Sequence, residues 1–549
     1  MIFYDILLIA LLLVSFILLY FLAGYAVRAV SSKWRILYAV PGVMCILITA
    51  ISGFEPLMLG AYIGAALPLA GFAADSKKIR RISCIAAAAA VISAIPLCTL
   101  ISGYRKADYA ADFEKGYAAM KKHYVLGEYK EIDWDALYEK HLPEFKAAES
   151  DTENLAAWLS FCSEFRDGHV SFVPDNYEEV SEKTFEELFG NDCGLAFMTL
   201  SDGSIAAVNV AENSEAYKAG IRNGTIITGV EEGSPAQKGE ELTKYSPICF
   251  ADRENEEFYR AIYGGGAYGD SITVSFLDEA GAEKTAVLPK IGNYYKDRMS
   301  GALEIIDGGI DTGHLMWTEV DERTAALRIK AMTYDSNSMK SGDFSGLKAG
   351  LSEKLTELKT AGVTNLILDM RGNSGGSGDM VKAIAELLAP EGEHFYCTDG
   401  KWSDETGGYL TDTNGFIKGQ EHYFSGENLW AGGKVVILVN SGSISAADHL
   451  VSVLSGFPDI TVMGFTKTNG SAQGIGGLEL ESGMLQFSSS LLLDKNGDVF
   501  IDSGASFESK NSIEVKVPFD KQAVEALFDR GEDYLLNKAV QYMRNGEEP

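Results

Sequence analysis

Two apolar runs constrain this chain more than any other feature. "TNLILDM" (364–370) and "KVVILVN" (434–440) read as buried strands. Each ends in small polar residues, "RGNSGGSGD" and "SGSIS", and each is followed by a helical pattern. With "RTAALRIKAM" before them and "ITVMGF" after, strands and helices alternate over residues 323–520. That order specifies an α/β core with a parallel sheet. Ligands of such sheets bind beyond the carboxyl ends of the strands, where both glycine- and serine-rich clusters sit.

At 549 residues the chain is long enough for about three or four domains. Residues 1–104 carry seven basic side chains (Arg28, Lys33, Arg35, Lys77, Lys78, Arg80, Arg81) against three acidic ones (Asp5, Glu55, Asp75). The whole chain has a net charge of −30, so the remainder is strongly acidic, which excludes a nucleic-acid stripe. Four apolar runs (6–27, 36–54, 56–74, 82–102) are expected to be transmembrane helices, giving an all-α membrane region over 1–104. The basic loops between them place the rest of the chain outside the cytoplasm, as a multi-pass cell-membrane protein with an extracytoplasmic catalytic part. Cys162, Cys193, Cys249 and Cys397 lie in that outer part, either as two disulfides or as buried thiols. No Cys/His cluster has metal-ligand spacing, so neither metal nor other cofactor is expected.

The outer part divides further. Residues 105–180 read as a helical block, with one helix starting at Asp133, closing in the turn and strand of "FRDGHVSFVPDN". Residues 186–292 read as short strands with glycine turns. "GLAF" and "AYKAGIRNGTIITGV" in this stretch resemble the PDZ domain. That resemblance implies that Gly194, Leu195, Ala196 and Phe197 form a loop binding a peptide carboxylate. Residues 300–549 hold the α/β core.

Acyl transfer needs a nucleophile, a base, an orienting group and N–H donors for an oxyanion. The helix after "KVVILVN" begins near Ala446, putting Ser445 at its N-cap, where the helix dipole favours developing negative charge. Capping alone explains an isolated serine there. "DMRGNSGG" (369–376) adds a glycine turn able to form an anion nest, without the Gly-Lys-Ser/Thr of a phosphate loop.

"LILDMRGNSGG", "VVILVNSGSISAADHL" and "VMGFTKTNGS", in that order, resemble the C-terminal processing peptidase and tricorn-core family of serine proteases. The resemblance covers about residues 107–545 and implies a ClpP/crotonase-like core, a PDZ-like insert and peptide or protein substrates. One branch of that family uses a Lys base, but the corresponding position here is Ser471, with Lys467 out of register. The tricorn-like branch uses a His from the end of the helical block, which is His169 in "DGHV", although Gly168 replaces the Ser that precedes it there. The resemblance thus implies Ser445 as nucleophile, His169 as base and Glu508 of "FESKNSIEVKV" as its orienting carboxylate. The amide of Ala446 and that of either Gly375 or Gly376 would supply the oxyanion hole. His449 is near Ser445 in sequence, but its helical position points it along the helix. The rival classes are a non-catalytic binding protein on the same scaffold and a membrane signalling scaffold whose PDZ-like part captures peptide tails.

Overall fold

The computed structural model describes residues 107–309, 314–413 and 415–546. Three helices open it: α1 (Tyr109–His123), α2 (Trp134–Ala147) and α3 (Asp151–Ser163). Their N-termini are capped by Asp108, Asp133 and Ser150, each accepting a backbone N–H three residues on. The faces they turn inward carry Phe113, Phe145, Trp158 and Phe161, with Phe113 and Phe145 stacked at 4.4 Å. Trp158 also stacks on Phe172, at 4.8 Å and 10°. Phe172 lies in β1 (Ser171–Pro174), so this aromatic cluster fixes the strand that follows the His169 turn.

A β-rich insert follows, with a two-stranded pair (Ala196–Thr199 with Ile205–Val208) and a three-stranded antiparallel sheet (Ile227–Val230, Ser271–Leu277, Glu283–Pro289). The core is a six-stranded sheet built from β2 (Leu315–Asp321), β3 (Thr324–Ile329), β4 (Asn365–Asp369), β5 (Lys434–Val439), β6 (Ile460–Gly464) and a short edge strand, Val515–Lys516. The spatial order is β2–β3–β4–β5–β6–(515–516). All pairs are parallel except β2–β3. Leu366, Leu368, Val435, Ile437 and Val439 face one apolar cluster, and Ile367, Val436 and Leu438 face another. The sheet is therefore covered on both faces, which is why its strands read as unbroken apolar runs. Two further strands, β7 (Gly474–Glu479) and β8 (Gly483–Ser490), form a hairpin that pairs with β1 in the order β1–β8–β7. Asp108–Pro549 is one compact unit.

One expectation is corrected. The four apolar runs of residues 1–104 lie outside the described residues, and among the described residues no helix is long and apolar enough to cross a membrane. The longest described helix, Ser345–Thr360, has 16 residues. It spans about 24 Å, short of a hydrocarbon core of about 30 Å. The all-α membrane region, the membrane embedding and the multi-pass localisation therefore drop out of the account of this fold. The four outer cysteines are buried free thiols.

Candidate active site

The loops after β4, β5 and β6 leave the same edge of the sheet and meet there. Ser445 is the N-cap of α4 (Ala446–Leu454), with φ 62° and ψ −119°. Such a conformation costs a residue with a Cβ about 1–3 kcal/mol and persists only where its surroundings impose it. Its amide donates to the Ser471 carbonyl (2.9 Å) and to Asp448 Oδ2 (3.0 Å), and the preceding amide, Ile444, donates to the Asn373 carbonyl (3.0 Å). The loop after β4 lies directly on this turn. A methyl group at Gly375 would stand 2.6 Å from Ser445 Cβ and 3.2 Å from the Ala446 nitrogen. Ser443, by contrast, is a buried turn residue donating to the Met370 carbonyl (2.8 Å).

The turn carrying His169 reaches the same place. Gly168 donates its amide to Ser471 Oγ (2.8 Å), and a methyl group at Gly168 would collide with Asn469 Oδ1 and Ile444 Cδ1. Ser471 thus bonds both segments, accepting from Ser445 with its carbonyl and from Gly168 with its hydroxyl. This residue has no role in the sequence reading beyond occupying the place of a lysine. The close approach also explains why a glycine, not a serine, precedes the histidine.

His169 is buried, and both its ring nitrogens lack a hydrogen-bond partner. Burial lowers its pKa from the ordinary histidine value, against an opposing pull from Asp167. The imidazole is therefore neutral at pH 7 and free to accept a proton. Asp167 Oδ1 accepts the His169 amide (2.9 Å), while its Oδ2 accepts from Ser488 Oγ (2.8 Å) and Tyr124 Oη (3.1 Å). Behind it lies Asp502, fully buried, accepting from the Ala472 amide (3.0 Å) and Gln473 Nε2 (2.8 Å). Burial, reinforced by Asp167, pushes the Asp502 carboxyl up to about 8.

Of the expected oxyanion donors, Ala446 and one of the two alternative glycines are open. Among the described residues neither the Gly376 nor the Ala446 amide has an acceptor, whereas the Gly375 amide is taken by Asn373 Oδ1 (2.9 Å). Asp448 supports this turn from below. Its carboxylate accepts the amides of Ser445, Gly470 (2.9 Å) and Ser471 (3.2 Å) and Asn511 Nδ2 (3.2 Å). Burial pushes its carboxyl up to about 7 against the pull of these donors.

Other expected residues stand apart. Glu508 is exposed and makes no hydrogen bond to His169. Its neighbours explain this: Phe507 turns inward with φ 58° under the Arg166 guanidinium (4.5 Å), and the Ser509 amide is drawn to Asp252 (2.9 Å). The residue between two inward-turned ones points out. Lys467 is bound to Asp252 (3.2 Å), away from the Ser445 turn. His449 stacks on Tyr396 at 4.2 Å as a packing residue. In the insert, Leu195, Ala196 and Phe197 are fully buried, and the Gly194 amide donates to Asp192 Oδ1 (2.7 Å). Asp192 is itself clamped by Arg298 (2.8 Å), so a carboxylate already occupies the place expected for a peptide terminus.

Residues 323–505 match the model of peptidase family S41, and residues 105–154 match the Tricorn protease C1 domain. The chain is a serine peptidase. Its substrates are peptides or proteins. No curated protein matches its sequence. Among solved structures, the peptidase is similar to mature CPAF complexed with lactacystin, with 13% identity and TM-score 0.52, covering 80% of this chain and 99% of that one. That likeness establishes the fold. A putative peptidase from Parabacteroides merdae ATCC 43184 also matches, with 15% identity, TM-score 0.43, and coverage of 80% and 98%. The photosystem II D1 C-terminal processing protease matches with 16% identity, TM-score 0.35, and coverage of 76% and 94%.

Proposed function

We propose that this peptidase cleaves polypeptides through an acyl-enzyme on Ser445, with His169 as the general base. The observation that carries the reading is the junction at Ser471, which ties the strained serine turn to the loop of an unpartnered, neutral imidazole. In this scheme Ser445 Oγ attacks the scissile carbonyl carbon as its proton passes to His169. The carbonyl oxygen, now anionic, is held by the Gly376 and Ala446 amides. His169 returns the proton to the departing amine as the C–N bond breaks. Water, activated by the same imidazole, then hydrolyses the ester. Asp167 holds the His169 amide and raises the imidazole's basicity against burial, without bonding the ring as the carboxylate of Glu508 was expected to do.

A fluorophosphonate probe tests this. Ser445 is the expected site of labelling, lost in Ser445→Ala and reduced at least ~10³-fold in His169→Ala. Labelling that persists in His169→Ala but vanishes in Lys467→Ala would reverse the choice of base. A wild-type protein that is never labelled would instead favour a binding role for the scaffold.

A further inference from the structure

A catalytic imidazole needs two things of its ring. One nitrogen must be bare to take the nucleophile's proton, and the other must hold its N–H in place against an acceptor. Among the described residues both His169 ring nitrogens are buried without a partner. The loop after β6 carries a buried acceptor in the same condition: the Oδ1 of Asn469 has no donor. The orientation of that amide is fixed, because its Nδ2 donates to two carbonyls, Cys249 (3.2 Å) and Ser441 (3.4 Å), which an oxygen could not do. Oδ1 is therefore the atom turned to the loop of the base, where it lies against Gly168. Asn469 also meets the far side of the histidine through Cys249, whose thiol donates to the Val170 carbonyl (3.3 Å). Its own backbone amide donates to the Ser443 carbonyl (2.9 Å), two residues before Ser445.

We propose that Asn469 is a positioning residue, whose Oδ1 accepts the ring N–H of His169 in the working enzyme and leaves the other nitrogen bare toward Ser445. This rests on the Ser445–His169 reading of the site. Buried polar atoms without partners are rare in folded proteins, and here three of them, two on one ring, belong to segments in direct contact. A bond from ring to amide oxygen satisfies two, and the Ser445 hydroxyl satisfies the third. The backbone around the ring is already held: Ser471 takes the Gly168 amide, Asp167 the His169 amide and Cys249 the Val170 carbonyl. The freedom that remains lies in the torsions of the imidazole itself, and catalytic hydrogen bonds commonly tighten when substrate binds. A neutral amide oxygen is sufficient for this task, as the Cys-His-Asn arrangement of other proteases shows. Asp502 Oδ1 is the rival acceptor, since it too is buried without a donor and its carboxyl lies near Asp167.

Two variants in the full chain separate orientation from tethering. Asn469→Ala removes Oδ1 together with the Nδ2 bonds, whereas Asn469→Asp loses the Nδ2 bonds but keeps an acceptor. In Asn469→Ala the fluorophosphonate labelling rate and kcat on a peptide are expected to fall about ten- to hundredfold with KM little changed, and Asn469→Asp is expected to recover most of the loss. The added charge of Asn469→Asp should also move the acid limb of kcat/KM to higher pH. Asp167 and the Asp502, Lys130, Tyr124 and Cys249 groups around it are the same in both proteins. Nitrogen-15 NMR of labelled histidine, assigned with His169→Gln, reads the ring directly. The wild type should show one neutral tautomer with a ring N–H shifted downfield, and Asn469→Ala a mixture of tautomers. The wild-type spectrum stands even if a variant fails to fold, and a ring with both tautomers populated would overturn the proposal. So would unchanged labelling in folded Asn469→Ala, an Asn469→Asp as impaired as Asn469→Ala, or a ring signal that Asp502→Asn abolishes and Asn469→Ala keeps. Absence of labelling in the wild type is the separate result that would bring down the catalytic reading beneath it.

Discussion

Ser471 makes three bonds with three different atoms: its amide to Asp448, its carbonyl to the Ser445 amide and its hydroxyl to the Gly168 amide. Ser471→Ala removes only the last and strands a buried N–H, which costs about 1–3 kcal/mol. The expected result is a lower Tm together with a lower kcat on any peptide, because the loop of the base loses its tether. Gly168→Ala should be more severe, since its methyl group has no room against Ile444 and Asn469. Loss of labelling at unchanged secondary structure would show it. The acid limb of kcat/KM reports His169. Burial depresses the imidazole, so the limb should lie below pH 6.5. Asp167 opposes that depression, so Asp167→Asn should move the limb further to acid, and a pH–rate profile decides the sign. Ser445 and His169 can be proposed from the sequence because each stands at a marked place, a helix N-cap after a buried strand and the end of a helical block. Ser471 cannot, because its importance comes from contacts across three hundred residues, and a serine in a polar turn has no periodicity to betray it.

At the scale of elements, what alternates or caps was readable, and what depends on partners was not. The helix expected from Asp133 has Asp133 as its N-cap, with Ala136 donating to it at 3.0 Å. The runs at 364–370 and 434–440 contain β4 and β5, adjacent and parallel. The carboxylate of α4 was missed. Asp448 sits at the third helical position, where an acid reads as ordinary helix-start chemistry, yet it collects donors from three segments. Replacing it with alanine leaves those buried N–H groups without an acceptor. A destabilisation of about 3–5 kcal/mol is expected in urea denaturation, with loss of labelling at temperatures where the fold survives. Glu508 was misplaced for a related reason: its segment pattern survives in the sequence, but the inward turns of Phe507 and Ser509 decide which way it points.

For the molecule as a whole, buried carboxyls raised above their ordinary range set the pH response; Asp307, raised by burial to about 6, joins Asp448 and Asp502. Asp448 and Asp502 are pushed up to about 7 and about 8, so the folded protein keeps protons that the unfolded chain releases near pH 4. The stability tied to them is full at low pH and is lost as pH rises through those folded values. His169, lowered by burial, and His449, lowered to about 4, act in the opposite sense but only below pH 6.5. Between pH 6.5 and 8 the carboxyls act in the same sense as His141, which is raised against burial by its hydrogen bonds to Glu144 and Glu164, and the urea midpoint is expected to fall across that window. Arg371, in the loop after β4, is buried between Asp369 (2.7 Å) and Asp533 (2.6 Å). Arg371→Met should cost about 3–5 kcal/mol by leaving charge unpaired inside.

The sheet β1–β8–β7 joins a strand made early in the chain to a hairpin made more than three hundred residues later. During synthesis, β1 and the imidazole beside it wait without a ladder until that hairpin has left the ribosome. In the proposed reading, a nascent chain of this kind holds its serine and its base in separate segments until residues 474–490 have been made.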